Sequence, residues 1–204
     1  MTVPNPQSTR LVVRQKITPI TNKYWVHAAA ADGSPGEVLA FAEQKKFKLK
    51  EEVVFFADEG KRRVLFSLKS RQVIDMAATS DVLDEAGAPI GVFRKDAAAS
   101  LLNSTWHLQA PGVAATGRER SHKVALARRF GGWIPVVGDV LEAVPWQFHF
   151  DFRTAEGVVV MSDERQRKLR DQYLITLPHV LDGSPLDWRL AAALGVALDA
   201  FQGR

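Results

Sequence analysis

Imidazole serves both metal binding and proton transfer near neutral pH, so the histidines are the first side chains to ask for chemistry. His27, His107, His122, His149 and His179 stand singly, and none has a partner at the short spacing a metal site requires. In the "FHF" around His149 the ring alternates with aromatic neighbours, which is the pattern of a strand position and not of a ligand pair. The chain has no Gly-x-Ser-x-Gly elbow and no glycine-rich phosphate loop ahead of a helix. It also has no cysteine, which excludes thiolate chemistry and disulfides. The acid pairs Asp58-Glu59 and Asp84-Glu85 come shortly before Gly60 and Gly87, where turns use carboxylates for geometry. The residues therefore predict no catalytic group, no metal site and no cofactor.

Positive charge is the more informative chemistry. In "EQKKFKLKEE" the residues Lys46, Lys48 and Lys50 alternate with Phe47 and Leu49, so an extended backbone turns the three lysines to one side. Lys69 and Arg71 repeat that alternation, and Arg94 and Lys95 follow one turn later. If their strands are neighbours, these residues form a basic face suited to phosphates or anionic lipid. The competing reading is a solvated exterior with edge lysines, tempered by Glu43, Glu51 and Glu52. A second basic stretch, "GRERSHKVALARRF", lacks the interleaved aromatics that stack bases, so no nucleic acid is expected. Beyond it, "FGGWIPVVGDVLEAVPW" offers Trp133, Ile134 and Val136 as an apolar interaction patch for a protein or a bilayer. The net charge of +4 permits anionic partners without requiring them.

These residues have to be positioned by strands. Short β-rich runs recur between turn signals, at 10–17, 24–30, 37–43, 52–57, 63–69, 73–84, 89–95, 104–110, 113–118, 145–152, 157–162 and 172–177. Gly33, Gly60 and Gly87 punctuate the first hairpins at even intervals, with acids or small polar residues beside them. A sheet of about a dozen strands must curl or close, and closure leaves a lumen too wide for wall side chains alone to fill. The last segment, "SPLDWRLAAALGVALDAFQ", supplies a filler. Ser184-Pro185-Leu186-Asp187 reads as a helix start with Ser184 as the cap. The run from Leu190 to Leu198 is apolar on every face, as in a helix surrounded by apolar neighbours. It is far short of the roughly 20 residues a membrane span requires. Asp187, Arg189 and Asp199 bracket it, which predicts a core helix with both ends in water. Residues 1–9 read as a tail and 10–204 as one domain, cytoplasmic by default or peripheral to a membrane.

Five blocks carry a resemblance in their order along the chain: "FAEQKKFKLKEEVVFFADEGKRRVLFSLKSR", "VLDEAGAPIGVFRKD", "STWHLQAPG", "RQRKLRDQYLITL" and "LDWRLAAALGVALDAF". Through them the chain resembles the tubby C-terminal-like superfamily, in particular its LURP-one-related branch, which shares a fold with phospholipid scramblases. The resemblance implies a closed twelve-stranded antiparallel barrel around a buried C-terminal helix. For tubby domains it implies phosphoinositide binding through basic side chains, and for scramblases action on bilayer lipids. This chain has neither cysteines to acylate nor an acidic calcium loop before the helix, where "LPHVLDGSPLD" stands. The sequence thus points to a non-enzymatic binding module for anionic phospholipid head groups. The alternatives are a protein interaction scaffold using residues 131–146 and a carrier of a small apolar ligand. Truncation after Leu181 removes the filler, so circular dichroism should find no cooperative thermal transition in the shortened chain.

Overall fold

Alternation of apolar and polar side chains writes strands throughout this chain, and the structure, a computed structural model, forms them where alternation is strongest. It describes residues 9–45, 52–71, 79–96, 104–120, 149–166, 172–178 and 185–201. The strands are β1 (Arg10–Ile17), β2 (Thr21–Ala29), β3 (Pro35–Lys45), β4 (Glu52–Phe56), β5 (Val64–Ser70) and β6 (Thr79–Asp84). They continue with β7 (Pro89–Asp96), β8 (Thr105–Ala110), β9 (Val113–Glu119), β10 (His149–Arg153), β11 (Val159–Arg165) and β12 (Gln172–Thr176). Each pairs antiparallel with its predecessor, and β12 returns to β1, closing the barrel. Leu11 marks the seam, opposite Ala28 on one side and Ile175 on the other. The predicted runs at 73–84 and 145–152 are strand in their described parts, 79–84 and 149–152; residues 73–78 and 145–148 lie outside the described residues.

Helix α1 (Trp188–Phe201) threads the lumen. Leu190 to Leu194 have no exposed surface, and Val196, Ala197 and Leu198 are buried as well. The all-round apolar run thus meets an all-round apolar wall, with Leu11, Phe55, Phe66, Phe93, Phe152 and Ile175 in the same core cluster. The thin positions are matched to close neighbours. A Cβ on Gly195 would lie 2.7 Å from Ile175, one on Gly91 2.6 Å from Leu190, and one on Gly117 2.3 Å from the Phe152 ring. At these places the lumen has no room to spare, so the helix takes the space an enclosed apolar ligand would need.

The helix start differs in detail from the expectation. The predicted cap Ser184 lies outside the described residues, and the helix is capped by Asp187, whose Oδ1 accepts from the Arg189 N–H at 2.8 Å and whose carbonyl accepts the first helical bond, from Ala191. A carboxylate serves as well as a hydroxyl there and also suits the helix dipole. Asp187 additionally holds the Arg189 guanidinium at 2.7 Å.

Strict antiparallel order gives the barrel two unlike rims. At one, which we call the turn rim, β2–β3, β4–β5, β6–β7, β8–β9 and β10–β11 are joined by short turns, each containing a glycine. Gly33, Gly87, Gly112 and Gly157 there have positive φ, which side chains with a Cβ rarely tolerate. Asp32, Asp58 and Asp84 each accept backbone N–H groups within their turns, as their sequence context predicts. At the opposite loop rim lies the β1–β2 hairpin, and there the strand ends on either side of 46–51, 71–78, 97–104, 120–148 and 166–171 meet. Helix α1 starts near the turn rim, with Trp188 edge-on to Phe66, and ends at the loop rim. Leu194→Ala removes a wholly buried side chain from the centre of the plug; urea denaturation should show a loss of about 2–5 kcal/mol.

Candidate functional site

Most buried polar side chains among the described residues lie toward the loop rim. Inside, the wall changes character over its last residues. Tyr24, Asn22, Gln44, Ser80, Asp163 and Tyr173 replace the aliphatic and aromatic side chains of the middle layers, and all are buried. The last turn of α1 brings Asp199 into this layer. Tyr24 donates to its Oδ2 at 3.3 Å and Tyr173 donates to its Oδ1, while Gln15 donates to the Tyr24 oxygen at 3.2 Å. The C-terminal end of α1 is therefore only half-exposed, its Asp199 held by two wall side chains. Two phenols offset the unfavourable meeting of a carboxylate with the negative end of a helix dipole. Burial, together with the charge of Asp199, raises both phenols above their ordinary range, so they remain donors.

Asp163 is the exposed weakness of this layer. It lies on β11 between Phe150 and Ile175, in register with both, and its Oδ1 has no hydrogen-bond partner among the described residues. Burial first, then the charges of Asp199 and Glu164, push its carboxyl up to about 8. It consequently keeps its proton between about pH 4 and pH 8, where a solvated aspartate is ionised. Elsewhere in this end of the barrel, a cleft of about 20 Å3 lined by Gln44, Glu52, Ser70 and Ala200 has room for a water molecule.

On the outer wall the predicted basic residues meet acids. Lys69 stands opposite Glu52 on one neighbouring strand and Asp81 on the other. Arg71 forks onto the same Asp81 with two hydrogen bonds of 2.6 Å. Arg94 is exposed between Thr79 and His107. Lys95, the next residue, faces the other way, with its Nζ 6.0 Å from the centre of the Trp106 ring. At the root of the 120–148 connection Arg120 bonds Asp151 at 2.6 Å and Glu164 at 2.7 Å. Lys46, Lys48 and Lys50 lie outside the described residues, as do Trp133, Ile134 and Val136 with the rest of 131–146. The chain nevertheless attaches those lysines to the loop rim, since β3 ends and β4 begins there.

Leaving aside Arg71 and Arg120, the segments 46–51, 72–78, 97–104, 121–148 and 166–171 hold nine lysines and arginines against five acids. The turn-rim connections, with the 177–187 segment leading to α1, hold three against seven. In sequence, then, bases outnumber acids in the connections between strand ends at the loop rim, and acids outnumber bases in those at the turn rim. Among the described residues, no cluster of three or more histidines and acids is arranged to hold a metal ion, and no helix is long and apolar enough to cross a membrane.

The model of one protein family, described as LURP-one-related, matches residues 38–199. The chain belongs to the LURP-one-related family. The family match starts within β3, so β1 and β2, which close the barrel against β12, precede it. A comparison with curated proteins finds no match.

Sequence reasoning missed the interior layer, although one trace was present. In "VVMSDER" the positions Met161, Asp163 and Arg165 share a face, so an acid follows a core methionine at strand spacing. A carboxyl whose pKa is higher folded than unfolded destabilises the fold increasingly as pH rises from the unfolded value near 4 to about 8. The melting temperature should fall across that window, and Asp163→Asn should flatten the slope, raising the melting point at pH 8 by several degrees while changing little at pH 4. Calorimetry of both proteins from pH 4 to 9 checks this.

Proposed function

We propose that this chain is a non-enzymatic binding module that attaches, loop rim first, to anionic phospholipid head groups at a cytoplasmic membrane surface. One observation carries the reading: the segments that join strand ends at the loop rim are richer in bases than in acids, and those that join strand ends at the turn rim are richer in acids. Such an object is oriented by a negative surface before contact, its basic end attracted and its acidic end repelled. Lys46, Lys48 and Lys50 are the residues assigned to the head groups. They belong to a connection in which bases outnumber acids, whereas Lys69 and Arg71 face Asp81 and contribute less.

The arrangement also fits a division of labour along the barrel axis. Short glycine turns and the packed helix make a stiff body, and long connections at one end are the usual place for recognition. Binding of this kind requires no chemistry at the ligand, in keeping with scattered histidines and with acids engaged in turns and ion pairs.

Flotation with vesicles of phosphatidylcholine, with and without phosphatidylserine, tests the proposal. Recovery should depend on the anionic lipid and fall as salt rises from 0.1 to 0.5 M, roughly an eightfold or larger loss for several screened contacts. Replacing Lys46, Lys48 and Lys50 together by Glu should weaken partitioning roughly a hundredfold, at about 1 kcal/mol per lysine, with unchanged thermal unfolding. Equal recovery from neutral and anionic vesicles would refute the reading.

A further inference from the structure

The two most exposed large apolar side chains among the described residues share one turn. Ile20 is 68% exposed and Ile17 49%, and they flank Thr18 and Pro19 at the tip of the β1–β2 hairpin. Single surface isoleucines are ordinary; two in four residues at the end of a rigid hairpin are not a scatter. The tip is closed by its own hydrogen bonds. The Thr18 N–H donates to the Thr21 carbonyl at 2.9 Å, the Thr18 hydroxyl to the same carbonyl at 2.7 Å, and the Thr21 N–H to the Thr18 hydroxyl at 2.9 Å. The isoleucines are therefore presented by an ordered turn, and little conformational entropy remains to be lost when they are covered.

Charge on the hairpin indicates what covers them. Lys16 and Lys23 are directly opposite each other in the β1–β2 register. Like charges facing across an antiparallel pair repel by a fraction of a kcal/mol; Lys23 also faces Glu43 across the β2–β3 register, with its Nζ 6.0 Å from the centre of the Phe41 ring, whereas no ion pair engages Lys16 among the described residues. Arg14, two residues back on the same face of β1, is exposed too. An oily tip above a collar of cations matches the layering of an anionic bilayer surface, with phosphates outside and the acyl boundary within. The hairpin also emerges at the loop rim. Thr21 is in register with Lys45, the last residue before the connection that carries Lys46, Lys48 and Lys50.

We propose that the β1–β2 hairpin is a membrane wedge: Ile17 and Ile20 enter the boundary between head groups and acyl chains while Lys16 and Lys23 bind the phosphates around them. The inference rests on the membrane reading above and adds to it an orientation, a depth and an apolar contribution. Attraction by the loop-rim lysines is screened by salt, whereas burial of the two isoleucines is not. The wedge therefore leaves a residual, salt-resistant part of binding that depends on Ile17 and Ile20.

The absence of cysteine makes single-cysteine labelling clean. Ile20→Cys at the tip and Ala155→Cys in the β10–β11 turn at the opposite rim, each carrying an environment-sensitive nitrobenzoxadiazole probe, are mixed with phosphatidylcholine vesicles with and without phosphatidylserine. The Ile20 probe should shift to the blue and be quenched by spin-labelled lipid on anionic vesicles only, and the Ala155 probe should stay in water. Ile20→Glu in the unlabelled chain should weaken partitioning about tenfold, by loss of one buried apolar side chain, without changing thermal unfolding. Vesicle-bound protein with the Ile20 probe still in water would overturn the wedge and leave the membrane reading standing. Failure of the unlabelled chain to float with anionic vesicles would end both. An Ile20 probe already shifted in buffer would place the tip against protein and overturn the wedge as well.

Discussion

A closed wall of strands has to be filled, and that constraint governs this protein. Twelve antiparallel strands leave no open edge, because β12 pairs with β1 as each other strand pairs with its neighbour. Closure removes the aggregation hazard of free edges but encloses more space than inward side chains occupy. Helix α1 resolves this, and its composition follows from its surroundings. It has no polar face from Leu190 to Leu198, since the wall surrounds it on every side. It carries alanines and Gly195 where the wall comes closest, as the Gly195–Ile175 approach demonstrates. The wall reciprocates with Gly91 against Leu190. Large wall residues and thin helix positions are two halves of one packing solution.

The apolar run of the helix ends at Leu198, and the next turn meets polar wall residues at the loop rim. There the half-buried Asp199 is held by Tyr24 and Tyr173, so the end of the plug is tied to β2 and β12 by directional bonds. Apolar packing alone leaves a helix free to slide along its axis; bonds to a carboxylate near its end give it one depth. Asp163, close enough to feel the charge of Asp199, is accommodated by keeping its proton. The loop rim is in this way less stable by construction than the middle of the barrel, and it is also the rim that carries the long connections.

The two rims answer to different demands. Short turns with positive-φ glycines and carboxylate-capped backbone make the turn rim an economical way of reversing direction. The strand ends at the loop rim are joined by segments of varied length in which bases outnumber acids. Stability and recognition are separated along the axis, so that sequence change in the connections does not disturb the packed middle. The basic residues of the wall fit this division: Lys69, Arg71 and Arg120 have acidic neighbours that tie them into the exterior of the sheet.

By itself the sequence determined the strands, the turns at Gly33, Gly60 and Gly87, the apolar helix and the need for closure. These depend on alternation, on backbone tolerance and on apolar length, which are properties of a residue and its near neighbours. The cap, Asp187, stands three residues from the predicted Ser184, within a segment where either side chain is competent. Only the tertiary structure decided which charges meet. Lys69 looked like part of a basic face, yet register puts Asp81 beside it; Asp199 looked solvated, yet Tyr24, 175 residues away, reaches it. The unequal charge of the two sets of connections became visible only once antiparallel order assigned each connection's strand ends to a rim. Cross-strand neighbours are set by register and closure, and these are settled by the whole core packing at once, so no local window of sequence contains them.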